Sequence, residues 1–169
     1  ECQTIGWCTR VERLWAPWRM EYIEAADHAG GCFLCAYPKE NRDAERFILS
    51  RSNSAFIILN AFPYANGHLM VAPYRHTADM ASLSPEEVLD MWGLVNRSLD
   101  VLMKAYKPQG FNIGVNLGRV AGAGLEEHVH VHIVPRWNGD TNFMPVLADV
   151  RVIPASLQAT YERLRGCLD

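Results

Sequence analysis

From residue 46 onward, short apolar runs alternate with Asn, Pro and Gly punctuation. Residues 46–49, then Ala55-Phe56-Ile57-Ile58-Leu59, then His68-Leu69-Met70-Val71-Ala72 read as three successive antiparallel strands. The strongest helical signal spans Pro85–Tyr106. Ser84 is a ready N-cap, Pro85 takes the first helical position, and Glu87 stands three residues after the cap, which completes a capping box. Val88, Met91, Trp92, Val95, Leu99 and Leu102 recur at helical spacing and predict one apolar face packed on the core. Pro108 and Gly110 stop the helix, and residues 111–116 begin a strand by strict alternation. A glycine-rich loop, Gly118 to Gly124, leads into a strand at 128–134 that ends on Pro135 and a polar turn.

Upstream, residues 14–31 mix aromatic and charged side chains and read as irregular chain with a short helical turn over the core. No repeat and no shift of composition marks a second domain, so residues 1–169 read as one α+β unit. Residues 1–12 are expected to form a flexible arm, and the motif-bearing core is expected at 32–140.

Composition narrows the function classes. The 169 residues are 49% apolar and 21% charged, with 16 basic against 19 acidic side chains and a formal charge of -3. A chain of this length buries roughly 70% of its unfolded surface, so neither disulfides nor metal are obligatory for folding. The near-neutral balance gives no cationic field of the kind that holds nucleic acid or an anionic membrane. Apolar runs are strand-sized, far short of the ~20 residues that span a bilayer. Five cysteines, an odd and scattered set, do not form a disulfide framework and point to a reducing, cytoplasmic location. Residues 1–8 lack the basic start and apolar stretch of a secretory signal.

The chemistry is concentrated in His128-Val129-His130-Val131-His132-Ile133-Val134. A strand sends alternate side chains to opposite faces, so the valines and Ile133 enter the core while three imidazoles share the other face. Such a row is costly unless the face is a site. Metal ligation is one use, although the outer rings stand about 13 Å apart, too far for one ion to take all three. Nucleophilic catalysis is the other: one ring nitrogen of the central imidazole is pinned as a donor, and the second presents its lone pair to an electrophile. Gly118, Gly122 and Gly124 fit phosphorus as that electrophile, because their backbone N–H groups can approach phosphate oxygens without a Cβ. The loop is no P-loop, since no Gly-Lys-Ser/Thr follows and it opens no helix. Cys32-Phe33-Leu34-Cys35 has the spacing for two thiolates on one ion, while a redox pair or two reduced thiols remain open alternatives. Cys2, Cys8 and Cys167 have no ligand spacing. Trp15, Trp18 and Trp137 read as packing or interface residues, His28 as a solvated side chain, and His68 as a structural hydrogen-bonding partner near the site.

Residues 128–134 match at every position the His-φ-His-φ-His-φ-φ signature, φ apolar, of the histidine triad family of nucleotidyl hydrolases and transferases, which the chain resembles. Asn60, eight residues before the Gly67-His68 pair, extends the likeness over most of 32–140. The Trp-Ala-Pro-Trp-Arg opening, the Gly-Arg-Val-Ala-Gly-Ala-Gly loop and the Pro-Arg-Trp-Asn-Gly-Asp-Thr-Asn-Phe segment are similar to the bacterial diadenosine tetraphosphate phosphorylase branch.

The resemblance implies an antiparallel sheet with one long and several shorter helices, continued across a homodimer. It implies that His130 attacks the α-phosphorus of a dinucleoside polyphosphate and forms a nucleotidyl-histidine, which water or inorganic phosphate then resolves. His132 would assist charge transfer or the leaving group, and His128 would support the nucleophile. Asn60 is expected near the sugar, Asn116 near the α-phosphate, and backbone donors at Gly122 and Gly124 around the transition state. It further implies a structural zinc held by Cys32, Cys35, His76 and His128. One departure stands out: many members carry Gln or Ser four or three residues before the first histidine, where this chain has Gly124 and Leu125. That departure favours a polyphosphate over a phosphoramidate. An adenosine phosphoramidase and a nucleotide-binding sensor of negligible turnover are the alternatives.

Overall fold

The computed structural model describes residues 31–140 and 155–168. The expected N-terminal arm, the Trp15 and Trp18 opening, Cys2, Cys8 and His28 lie outside the described residues. In chain order the elements are helix α1 (Phe33–Ala36), a 3-10 turn (Tyr37–Glu40), helix α2 (Asp43–Arg46), strands β1 (Ile48–Arg51), β2 (Ala55–Leu59) and β3 (Leu69–Pro73), and the long helix α3 (Pro85–Tyr106). Strand β4 (Gly110–Val115), strand β5 (Val131–Arg136) and helix α4 (Leu157–Arg165) complete them. No helix among the described residues is long and apolar enough to cross a membrane.

The five strands form one antiparallel sheet in the order β1-β2-β3-β5-β4. Strand alternation divides its side chains between two clusters. Ala55, Ile57, Leu59, Leu69, Val71, Val131 and Ile133 meet α3 and α4, where Leu102 and Leu164 are fully buried. On the opposite face Ile48, Phe56, Ile58, Met70 and Ala72 pack with Leu34 of α1. Each of these large side chains contributes roughly 1.5–3 kcal/mol of burial. The two-sided burial explains why β2 and β3 read as unbroken apolar runs.

Helix α3 begins as its sequence dictates. Ser84 accepts from the Glu87 backbone N–H while the Glu87 carboxylate accepts from the Ser84 N–H, a complete capping box. Its buried face differs from the expected one. Met91, Leu94, Val95, Ser98, Val101, Leu102 and Ala105 are buried, whereas Val88 and Trp92 are 44% and 53% exposed. The two stripes lie a fraction of a turn apart, and spacing alone does not say which of two adjacent apolar rows the sheet covers.

The first strand also needs correction. Arg46 closes helix α2 and Phe47 turns through a left-handed conformation (φ 56°), its ring edge-on to Tyr161, so β1 begins at Ile48 and not at 46. Likewise β5 begins at Val131 and not at 128. Residues 128–130 run ahead of the ladder, where the Val129 N–H donates to the Thr77 carbonyl at 2.7 Å.

Candidate active site and metal centre

The segment 128–130 keeps the alternation predicted for a strand although it lies outside the ladder. Val129 and Val131 enter the α3 side, while His128 and His130 are buried on the other and His132 is half-buried. Backbone groups, whose donor and acceptor roles are fixed, settle the tautomer of each ring.

His130 places Nδ1 2.8 Å from the His128 carbonyl oxygen. A carbonyl only accepts, so Nδ1 carries the proton and Nε2 carries the lone pair. Burial pushes the pKa of His130 below the ordinary histidine value, partly opposed by that hydrogen bond, and keeps the ring neutral. A neutral imidazole with one nitrogen pinned and the other electron-rich is a preorganised nucleophile.

His132 is ordered from behind by His68. The Tyr64 backbone N–H donates to His68 Nδ1 at 3.0 Å, which assigns the proton to Nε2. His68 Nε2 then donates to His132 Nδ1 at 3.0 Å, and the His132 proton is placed on Nε2. Asn60 belongs to this support. Its Oδ1 accepts from the Phe62 N–H at 2.9 Å, which fixes the amide orientation, and its Nδ2 lies 3.3 Å from His68 Nδ1. His68 is thus the structural partner expected from its position. The Tyr64 ring lies tilted 4.5 Å from the His68 ring and near-parallel 5.8 Å from the His132 ring. Sequence reading missed Tyr64, and only its place inside the Asn60–His68 segment could have drawn notice.

Strand β4 brings its end alongside. Val115 pairs with Val131 as the last rung, so Asn116 follows directly after β4 as His130 directly precedes β5, at the mouth of the glycine loop. Asn116 Nδ2 donates to the Gly122 carbonyl at 3.4 Å. Within the loop the N–H groups of Ala121, Gly122 and Ala123 donate to the carbonyls of Gly118, Arg119 and Gly118. Gly118 and Gly122 serve as turn positions, with φ of 80° and 91° that a Cβ would strain. The Gly122 N–H is therefore held within the turn, and among the described residues the Gly124 N–H has no such internal partner. Leu125 packs beside the apolar cluster under α1 and offers no polar group.

Cys32, Cys35, His76 and His128 come together, with one ligand atom from each lying within 4.8 Å of all the others. His128 Nδ1 is 3.2 Å from Cys32 Sγ and 3.4 Å from Cys35 Sγ, and His76 Nδ1 is 3.3 Å from Cys35 Sγ. A tetrahedral zinc with bonds of about 2.0–2.3 Å needs donors roughly 3.3–3.8 Å apart. The donor set fits. His128 Nε2 donates to the Pro73 carbonyl at 2.8 Å, which leaves Nδ1 deprotonated toward the sulfurs. Partial burial raises the Cys32 thiol pKa to about 11, which favours the protonated sulfur, and a bound cation would stabilise the thiolate instead.

A family profile described as "HIT domain" matches residues 41–139. An AP-4-A phosphorylase of Mycobacterium tuberculosis is 36% identical over 163 residues, covering 92% of this chain and 84% of that protein. An adenosine 5'-monophosphoramidase of Schizosaccharomyces pombe is 29% identical over 79% of this chain and 95% of its own length. Among solved structures, a zinc-bound histidine triad family protein from Mycobacterium smegmatis superposes with a TM-score of 0.65 at 29% identity, over 82% of this chain and 93% of that one.

Proposed function

This chain belongs to the HIT domain family, and from that premise we propose that it cleaves dinucleoside polyphosphates such as diadenosine tetraphosphate through a covalent nucleotidyl-histidine. The observation that carries the reading is the state of His130: buried, neutral, its Nδ1–H bound to the His128 carbonyl and its Nε2 electron-rich.

His130 Nε2 attacks the α-phosphorus in line, a P–N bond forms, and the P–O bond to the β-phosphate breaks with its electron pair leaving on the bridging oxygen. His132, held with its proton on Nε2, donates to the charge that develops on phosphoryl oxygen. Asn116, directly after β4, and the Gly124 N–H hold the α-phosphate oxygens. Gly122 acts through its turn conformation and through the carbonyl that orders Asn116. Asn60 acts first on His68, and its remaining amide N–H is what it offers a sugar hydroxyl. In the second step inorganic phosphate attacks the nucleotidyl-histidine, the P–N bond breaks and a nucleoside diphosphate is released. Water in its place releases the monophosphate.

Leu125, turned into the apolar cluster, leaves a leaving amine without a polar side chain at that position and favours a polyphosphate over a phosphoramidate. Incubation with diadenosine tetraphosphate, with and without inorganic phosphate, tests the reading. ADP and ATP formed only with phosphate mark phosphorolysis, AMP and ATP mark hydrolysis, and the absence of both removes the polyphosphate assignment.

The Cys32, Cys35, His76 and His128 set is proposed to hold a structural zinc, which would tie together the start of α1, the segment after β3 and the triad. A homodimer is proposed through β4. At the other edge of the sheet, β1 has carbonyls covered from α4: Tyr161 Oη donates to Ile48 O at 3.2 Å and Arg165 to Leu49 O at 3.0 Å. Strand β4 is the opposite edge. Its Ile113 is 41% exposed, and Val88, Trp92 and Met103 are exposed on the flank of α3 turned away from Asp90 and Arg97, the flank that bonds Ser54 and Leu168. Among the described residues β4 pairs with β5 alone, and such an edge beside an apolar flank is what a second copy of the sheet would cover.

A further inference from the structure

Tyr64 touches neither sulfur nor nucleophile, yet it makes two independent contacts with the pair of rings behind the phosphoryl site. Its backbone N–H donates to His68 Nδ1 at 3.0 Å. Its ring lies 4.5 Å from the His68 ring at 44° and 5.8 Å from the His132 ring at 28°. His68 and His132 are themselves joined Nε2 to Nδ1 at 3.0 Å, and the ring of His132 stands edge-on to His130 at 4.7 Å.

We infer that Tyr64 is a positioning residue for His132: its amide fixes the tautomer of His68, and its ring bounds the swing of the two imidazoles, so that the His132 Nε2–H stays aimed at the phosphoryl group. This rests on the reading that His132 faces the phosphates. The hydrogen bond from His68 anchors the half-buried His132 imidazole at Nδ1, and the swing of the ring about its Cβ–Cγ bond is bounded by the rings packed around it. The Tyr64 ring, inclined 28° to His132, is one wall of that packing. The stack belongs to the loop before His68, so the loop that orders the tautomer also orders the orientation. An aromatic at residue 64 is what the role requires; the hydroxyl is not.

The test is a double-mutant cycle with Tyr64→Ala, His132→Ala and the pair, measured on the nucleotide substrate that the wild type turns over. Tyr64→Ala is expected to lower kcat about tenfold or more, the scale of a misaimed catalytic group, with little change in KM. It should cost nothing further once His132 is alanine, and Tyr64→Phe should restore kcat. Losses that multiply, a loss confined to KM as expected of a nucleobase-stacking ring, or failure of Tyr64→Phe to rescue would each overturn the inference. Relaxation spectra of the 15N,13C-labelled imidazoles give a readout without turnover. His132 should be a rigidly oriented Nε2–H species in the wild type and in Tyr64→Phe; in Tyr64→Leu, which keeps apolar volume where alanine fails to fold, the retained amide should keep the tautomer while the ring becomes mobile. Unchanged spectra in Tyr64→Leu would overturn it. Should the wild type turn over no nucleotide, the proposed activity fails and these spectra alone decide the role of Tyr64.

Discussion

The carbonyl oxygen of His128 accepts the Nδ1 proton of His130 at 2.8 Å, while the ring of His128 points its own Nδ1 at the sulfurs of Cys32 and Cys35. One residue therefore connects the proposed metal to the proposed nucleophile, with its side chain in one centre and its backbone in the other.

The nucleophile's role has a direct measurement. His130→Ala should abolish formation of a radiolabelled nucleotidyl-enzyme while nucleotide binding stays measurable, and His130→Gly should regain turnover of an activated nucleotide when imidazole is added. Label retained by His130→Ala would move the nucleophile elsewhere.

Loss of a metal ligand should be felt at a distance. His76→Ala touches no triad ring that faces substrate, yet it should lower zinc content in elemental analysis and reduce kcat by loosening residues 128–130. With a stability loss of about 3 kcal/mol, the melting temperature would fall by roughly 6–12 °C. Full zinc content with unchanged melting would reject the four-residue site.

Asp90 ties the β1–β2 turn to helix α3. Its Oδ2 accepts from Ser54 N at 2.8 Å, Ser54 Oγ at 2.6 Å and Ser52 Oγ at 2.8 Å. The Ser54 hydroxyl leads in holding this carboxyl below the usual aspartate range, and burial opposes it only in part. A pKa lowered on folding stabilises the protein above the unfolded value near 4, and the contribution disappears as pH falls through the lower folded value. Asp90→Asn should therefore cost about 1–2 kcal/mol in chemical denaturation at pH 7, allowing for partial solvent screening. The gap between the two proteins should close in acid. A pH-independent gap would point to shape alone.

Strand β4, which among the described residues pairs with β5 alone, predicts an assembly. Sedimentation of the wild type should give a dimer, and Trp92→Glu or Ile113→Lys should shift it to monomer while helix α3 remains folded by circular dichroism. A monomeric wild type would leave that apolar flank to another partner.

Legibility followed the range of the forces involved. The capping box of α3, the strands β2 and β3 and the alternation through His128, His130 and His132 are written in neighbouring residues, and local sequence carried them. The gathering of Cys32, Cys35, His76 and His128 was legible only through family likeness, since no spacing rule links residue 35 to residue 128. Val88 and Trp92 were misplaced because an apolar row on a helix does not state whether the sheet of its own chain covers it. Phe47 looked like strand and turned left-handed, because packing against Tyr161, more than a hundred residues later, sets its backbone. Tyr64, the Pro73 carbonyl and the Thr77 carbonyl entered only with the fold, as each acts on a residue more than fifty positions away or on a ring that another ring orders.

Residues 128–130 are held from three sides by Thr77, Pro73 and the cysteine pair, and not by the rungs of the sheet. Small shifts of those anchors can therefore move His130 while β5 stays zipped to both neighbours, which leaves the position of its ring and the sheet free to vary separately.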